Sequence, residues 1–150
     1  MIELYDAVDN YFVSKTGVIK LDSEISLSNK QRRFLNLASR IAETSILPQK
    51  HGAVIVKAGR VISLGVNKWR NREMNSPQAE YNPYLTYHAE TDAIGNARND
   101  LSGATIYIAR IGKDGNEKFS RPCQRCTQAI KAAGIKKVIY TTGSENTYVV

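Results

Sequence analysis

At 150 residues the chain is long enough for one ordinary domain and too short for two, and no repeat or low-complexity tract divides it. An apolar share of 42% and a charged share of 23% exclude a disordered or collagen-like chain. No stretch reaches the roughly 18 uncharged apolar residues of a membrane helix, and Met1 to Asp6 lacks the basic head and apolar run of a signal peptide, so a cytoplasmic protein without a membrane partner is expected.

Residues 1–28 read as an N-terminal extension without a chemical motif. Tyr5, Val8, Tyr11 and Phe12 fall at spacings that fit one apolar stripe of a short helix. The domain proper is expected over 29–150. Ser28 or Asn29 can cap a helix from Lys30 to about Ile46, where Phe34, Leu35, Ala38, Ile41, Ala42 and Ile46 make one buried face and Pro48 stops the run. Gly52 to Lys57 and Arg60 to Val66 are β-branched runs around Ala58-Gly59, a β-hairpin pattern.

Residues 67–87 are polar and turn-rich, and a long irregular segment in a small domain is usually functional. His88 to about Arg98 is a second helix pattern and Ala104 to Ala109 a strand, followed by a turn at Lys113-Asp114-Gly115-Asn116. Pro122 suits the first turn of a third helix that ends near Ala133 with Gly134 behind it. Lys137 to Thr141 is the last clear strand, and the short remainder leaves little room for another strand and helix. A hairpin followed by helix–strand–helix–strand predicts an α/β fold with helices on the faces of a sheet.

The charge is unevenly placed. Residues 29–73 carry ten basic and two acidic side chains, and 104–137 carry eight and two, while 74–103 have one and four. Two basic blocks around an acidic middle suit an anionic partner, a phosphate group or a nucleic acid, and equally suit a solvated lysine-rich surface.

Two helix starts hold the chemistry. His88-Ala89-Glu90 opens the second and Pro122-Cys123-Gln124-Arg125-Cys126 the third. Cys123 and Cys126, at i and i+3, share a helix face, and a helix N-terminus favours the thiolate that binds metal. With His88 they make three ligands, the number that leaves a catalytic zinc one open position. A redox dithiol is the other use of such a cysteine pair. His51 is a conceivable fourth ligand, but a packed or exposed histidine at a strand end is the commoner case. Glu90 would point away from His88 in mid-helix, whereas at a first turn both can converge on one ion.

His-Ala-Glu followed by Pro-Cys-x-x-Cys resembles the signature of zinc-dependent cytidine and deoxycytidylate deaminases, with the likeness running over about residues 30–142. That resemblance implies a three-layer α/β/α fold with a mixed central sheet. It implies one catalytic Zn2+ on His88, Cys123 and Cys126, with Glu90 as general acid/base moving protons around a zinc-activated water. It also implies substrate contacts from Asn67, which matches the asparagine ending the family's second strand, and from the backbone of Ala89 and of Cys123.

Cys126-Thr127-Gln128-Ala129-Ile130 and Gly134 to Tyr140 look most like the deoxycytidylate branch, where a nucleoside monophosphate is deaminated, dCMP to dUMP. Arg121 and Arg125, with Lys68, Arg70 and Arg72, are candidates for the phosphate by adjacency to the motifs. The segment between Asn67 and His88 departs from the short glycine-containing loop of that branch. Its Trp69, tyrosines and basic residues also suit a deaminase of single-stranded DNA or RNA. A non-catalytic zinc-containing nucleic-acid-binding module is a further alternative. Resemblance implies a homo-oligomer.

Overall fold

The computed structural model describes residues 4–6, 11–14, 17–20, 23–69, 86–143 and 147–149. In chain order the elements are β1 (Leu4–Asp6), β2 (Tyr11–Ser14), β3 (Gly17–Lys20), β4 (Ser23–Ile25), α1 (Asn29–Glu43), β5 (Lys50–Lys57), β6 (Arg60–Val66) and β7 (Lys68–Trp69). They continue with β8 (Thr86–Tyr87), α2 (Ala89–Asn96), β9 (Thr105–Ile111), β10 (Glu117–Lys118), α3 (Gln124–Ala132), β11 (Lys137–Thr141) and β12 (Thr147–Val149).

Ser28 opens α1 with a reciprocal cap: its hydroxyl accepts from the Gln31 amide at 3.1 Å, and the Gln31 side chain accepts from the Ser28 amide at 2.9 Å. The helix stops at Glu43, three residues short of the predicted Ile46. The Thr44 hydroxyl donates to the Ile41 carbonyl and the Ser45 hydroxyl donates to the Asn67 carbonyl. A hydroxyl that bonds nearby backbone, as that of Thr44 does, competes with helix continuation, the bond from Ser45 ties the chain to the distant Asn67, and Ile46 is left exposed.

The main sheet runs β4-β12-β11-β9-β5-β6, with β10 paired to the end of β9. Only β9 and β11 are parallel; the other pairings are antiparallel, so the sheet is mixed. Strand side chains alternate between the two faces. Val54, Val56, Tyr107, Ala109 and Ile139 pack with Leu35 and Ala38 of α1. Their neighbours Ala53, Ile55, Ile106, Ile108, Val138 and Tyr140 pack with Ala89 and Ala93 of α2 and Ile130 of α3. Three layers result, as expected, and among the described residues α1 is the one helix on its face.

Two glycines set the depth of the outer layers. A Cβ on Gly52 would collide with the Ala38 carbonyl and the Ala42 amide of α1; one on Gly65 would collide with the Ala89 carbonyl and the Ala93 amide of α2. Each helix backbone therefore rests directly on a strand.

The N-terminal reading needs correction. Tyr5 and the pair Tyr11-Phe12 lie on strands, not on a helix: β1, β2 and β3 form an antiparallel three-stranded sheet with Tyr5 opposite Phe12 and Phe12 opposite Ile19. Aromatic and β-branched runs such as Tyr11-Phe12-Val13 and Val18-Ile19 favour pairing over a lone helix; Val8 lies outside the described residues. At the other end, β12 adds a strand where little room was expected, and it carries β4 at the sheet edge, so residues before 28 contribute to the main sheet. No helix among the described residues is long and apolar enough to cross a membrane.

Candidate metal and catalytic site

The parallel pair β9 and β11 end on one side of the sheet, and α2 and α3 begin there. This is where open α/β sheets place ligands. His88 is the N-cap of α2 and Cys123 the N-cap of α3, and neither side chain caps its own helix. Two local braces bring these starts together. Lys68 and Trp69 of β7 pair with Tyr87 and Thr86 of β8, which fixes the approach to His88. The approach to Cys123 is fixed by Ser120, whose buried hydroxyl meets the Ile108 carbonyl at 3.0 Å, the Thr141 hydroxyl at 2.7 Å and the Thr141 amide at 2.9 Å.

His88 Nδ1 lies 3.2 Å from Cys126 Sγ and 3.7 Å from Cys123 Sγ. The three ligand atoms all lie within 4.8 Å of one another, the one such cluster among the described residues. A tetrahedral zinc with Zn–N of about 2.1 Å and Zn–S of about 2.3 Å sets its N···S edges at about 3.6 Å. The donor set and its spacing therefore fit one zinc ion with a fourth position open. His51 is outside the cluster.

Without metal the donors share protons. Cys123 is held toward the thiolate, first by a hydrogen bond from the Cys126 thiol and then by His88; donating that bond pushes the Cys126 thiol up, and the hydrogen bond to the Cys123 sulfur pushes His88 up. Zinc would replace the Cys126 proton.

Glu90 is 4% exposed. Burial raises its carboxyl above the usual range, opposed by its own amide, by His88 and by a hydrogen bond from Cys126. Glu90, two residues after His88 in the first turn of α2, thus feels the charge of His88 and bonds the Cys126 thiol. A buried carboxyl beside three zinc-type ligands is equipped to hold and release a proton.

Asn67 is buried at the edge of the same site. Its amide oxygen accepts from the His51 amide at 2.9 Å and its amide nitrogen donates to the Gln49 carbonyl. The side chain thus braces β5 against the residue after β6, with one lone pair and one N–H left over. Ala89 is fully buried, and as the first helical residue its N–H has no acceptor within α2. Arg125 is exposed and close enough to His88 to oppose its protonation; Arg121 is half-buried just before α3. Lys68 forms an ion pair at 2.9 Å with Asp92 of α2, so its charge is already matched. Arg70 and Arg72 lie outside the described residues.

Sequence reasoning missed Asp92 and Arg110. Asp92 accepts from the Val66 amide at 3.1 Å as well as from Lys68, clamping the strand before Asn67 to the helix after His88. An acidic residue in a helix's first turn was the available signal. Arg110 is opposite His51 across β5 and β9.

Residues 28–142 match the family described as the cytidine and deoxycytidylate deaminase zinc-binding region. An uncharacterized deaminase in the luxG 3′ region of Aliivibrio fischeri is 32% identical over 116 residues, covering 75% of this chain and 72% of that protein. The deoxycytidylate deaminase of Mycobacterium phage D29 is 30% identical over 125 residues, with 71% and 90% covered. Among solved structures, the dCMP deaminase of cyanophage S-TIM5 in apo form superposes with a TM-score of 0.58 at 22% identity, covering 79% of this chain and 86% of that one. The same protein in complex with dCMP and dUMP gives 0.55.

Proposed function

The chain belongs to the cytidine and deoxycytidylate deaminase zinc-binding family, and on that premise we propose that it hydrolyses dCMP to dUMP and ammonia. The observation that carries the chemistry is the buried Glu90 carboxyl set among His88, Cys123 and Cys126. The phage relative that is a deoxycytidylate deaminase supports the choice of substrate.

In this reading His88, Cys123 and Cys126 hold one zinc ion. When bound, zinc supplies a water acidic enough to lose a proton near neutral pH. Glu90 takes that proton and gives it to the ring nitrogen of the cytosine as the water oxygen bonds to C4; it then takes the proton of the new C4 hydroxyl and gives it to the amine, which leaves as ammonia when the C–N bond breaks. Burial helps both halves of the cycle, because a carboxyl raised toward neutrality is a better acid and still a competent base. The N–H of Ala89, without an acceptor inside α2, lies at the helix start, where it can donate to the pyrimidine. Asn67 orients the segment Gln49 to His51 and offers its remaining N–H to the sugar. Arg121 and Arg125 line the approach to α3. The proposal includes a homo-oligomer, to be sized by light scattering.

Ultraviolet or ammonia-release assays of the zinc-loaded protein test the activity on cytosine, cytidine, deoxycytidine, CMP, dCMP and single-stranded oligonucleotides. Turnover is expected to be fastest on dCMP. Faster turnover of an oligonucleotide would replace dCMP by a polynucleotide, and no turnover of any of them would remove cytosine as the base.

A further inference from the structure

His51 and Arg110 are paired residues on adjacent antiparallel strands, β5 and β9, so their side chains leave the sheet on the same side with Cβ atoms about 5 Å apart. Which side is fixed by their neighbours. Gly52, next to His51, faces α1, because a Cβ there would strike Ala38 and Ala42. Ala53 and Ile108, the next residues on the other face, are buried with α2 and α3. His51 and Arg110 therefore continue the α2/α3 face one step past the apolar core, at the end where His88 and Cys123 stand. The charge of Arg110 and those of His88 and Cys123 all act on the His51 ring, which locates the pair beside the ligand cluster.

Arg110 is poorly satisfied there. Among the described residues its buried Nε has no acceptor, and its Nη1 reaches the Phe119 carbonyl at 3.5 Å. No carboxylate among the described residues forms an ion pair with it. A buried guanidinium N–H with no acceptor is costly, and the group that best satisfies the Nε edge of a guanidinium is an oxyanion gripped by two parallel hydrogen bonds. His51 beside it carries no charge near neutral pH, since burial holds its pKa at about 4. Arg110 thus brings a cation to this edge of the site with no carboxylate paired to it among the described residues.

We infer that Arg110, with His51 beside it, binds the phosphate of the substrate and makes the site prefer a nucleotide to a nucleoside. This rests on the proposed deamination for the identity of the substrate. The phosphate can belong to a free monophosphate or to a single-stranded polynucleotide, and the arms of the test separate the two.

The ratio of kcat/KM for dCMP to kcat/KM for deoxycytidine is measured for the zinc-loaded wild type, Arg110→Gln and Arg110→Lys, with an oligonucleotide containing one cytosine as a third substrate. Arg110→Gln is expected to lower the ratio by at least about 10-fold, the scale of a lost charged hydrogen-bond pair, and Arg110→Lys to restore part of it. A ratio unchanged in Arg110→Gln overturns the inference while leaving the deaminase reading intact. Selective loss on the oligonucleotide alone would assign Arg110 to a phosphodiester. Calorimetric titration with dUMP and deoxyuridine separates the two failures. A wild type that turns over neither substrate, yet binds dUMP more tightly than deoxyuridine through Arg110, keeps the phosphate site and overturns the reaction. Equal binding of the two by wild type overturns the phosphate site.

Discussion

Asn67 and His51 are joined in both directions: the Asn67 amide oxygen accepts from the His51 amide at 2.9 Å, and the Asn67 backbone amide donates to the His51 carbonyl at 3.3 Å. With the further bond to Gln49, the residue that ends the hairpin sets the position of the strand start beside the metal cluster. Asn67→Ala leaves the His51 amide and the Gln49 carbonyl without these partners. It is expected to lower stability by about 1–3 kcal/mol in urea unfolding and to raise KM more than it lowers kcat. An unchanged unfolding midpoint would show that the brace carries no weight.

Glu90→Gln keeps the shape of the side chain and removes its ability to take a proton. The expected loss in kcat is about 100-fold or more, with zinc still bound at one ion per chain by metal analysis. Activity near that of wild type would take the proton transfers away from Glu90. Treatment with a chelator should abolish turnover of the unaltered chain, and zinc should restore it.

The two contact glycines make a matched pair. Gly65→Ala would push against Ala89 and Ala93, the first turns of the helix that carries His88 and Glu90. Gly52→Ala would push against α1, which carries no site residue. Both are expected to cost about 1–3 kcal/mol in stability through overpacking. Zinc affinity, measured against a competing chelator, should fall by about 10-fold only for Gly65→Ala, as when a supporting contact of a metal ligand is disturbed. Equal effects on affinity would mean that α2 is not what locates the ligands.

His51 gives a pH dependence with a definite sign. Its pKa falls from 6.5 to about 4 on folding, chiefly by burial and then by Arg110. The unfolded chain therefore takes up a proton that the folded chain refuses. The stabilisation is complete above pH 6.5 and is lost as the pH falls toward 4, by at most about 3 kcal/mol. Urea midpoints at pH 7 and pH 4.5, with zinc in excess, should differ less for His51→Gln than for wild type. Parallel behaviour of the two proteins would exclude His51 as the source.

The parts of this molecule that were legible in the sequence are those whose structure is decided locally. Ser28-Asn29 announces a capped helix, Ala58-Gly59 a hairpin turn, and Arg60–Val66 and Lys137–Thr141 were bounded correctly from β-branched runs. The His-Ala-Glu and Pro-Cys-x-x-Cys spacings fix the ligand set because each lies within one helical turn. What escaped depends on distant partners. Ser23–Ile25 and Thr147–Val149 are three residues each and become strands by pairing with one another and with β11. Asp92 and Arg110 carry no motif in the sequence, and only a clamp across α2 and a strand register give them their neighbours. The early stop of α1 was hidden because Ser45 bonds a carbonyl 22 residues away.

His88 and Cys123 stand where a helix normally keeps its stop residue, and neither performs that task. Ser28 and Gln31 close α1 with a reciprocal cap, whereas the N-cap side chains of α2 and α3 turn toward one another across sulfur and imidazole. The ion that activates water would therefore also serve as a rivet through two open seams. Catalytic competence and the tightness of half the domain's helical layer then become one quantity, read by the same metal titration.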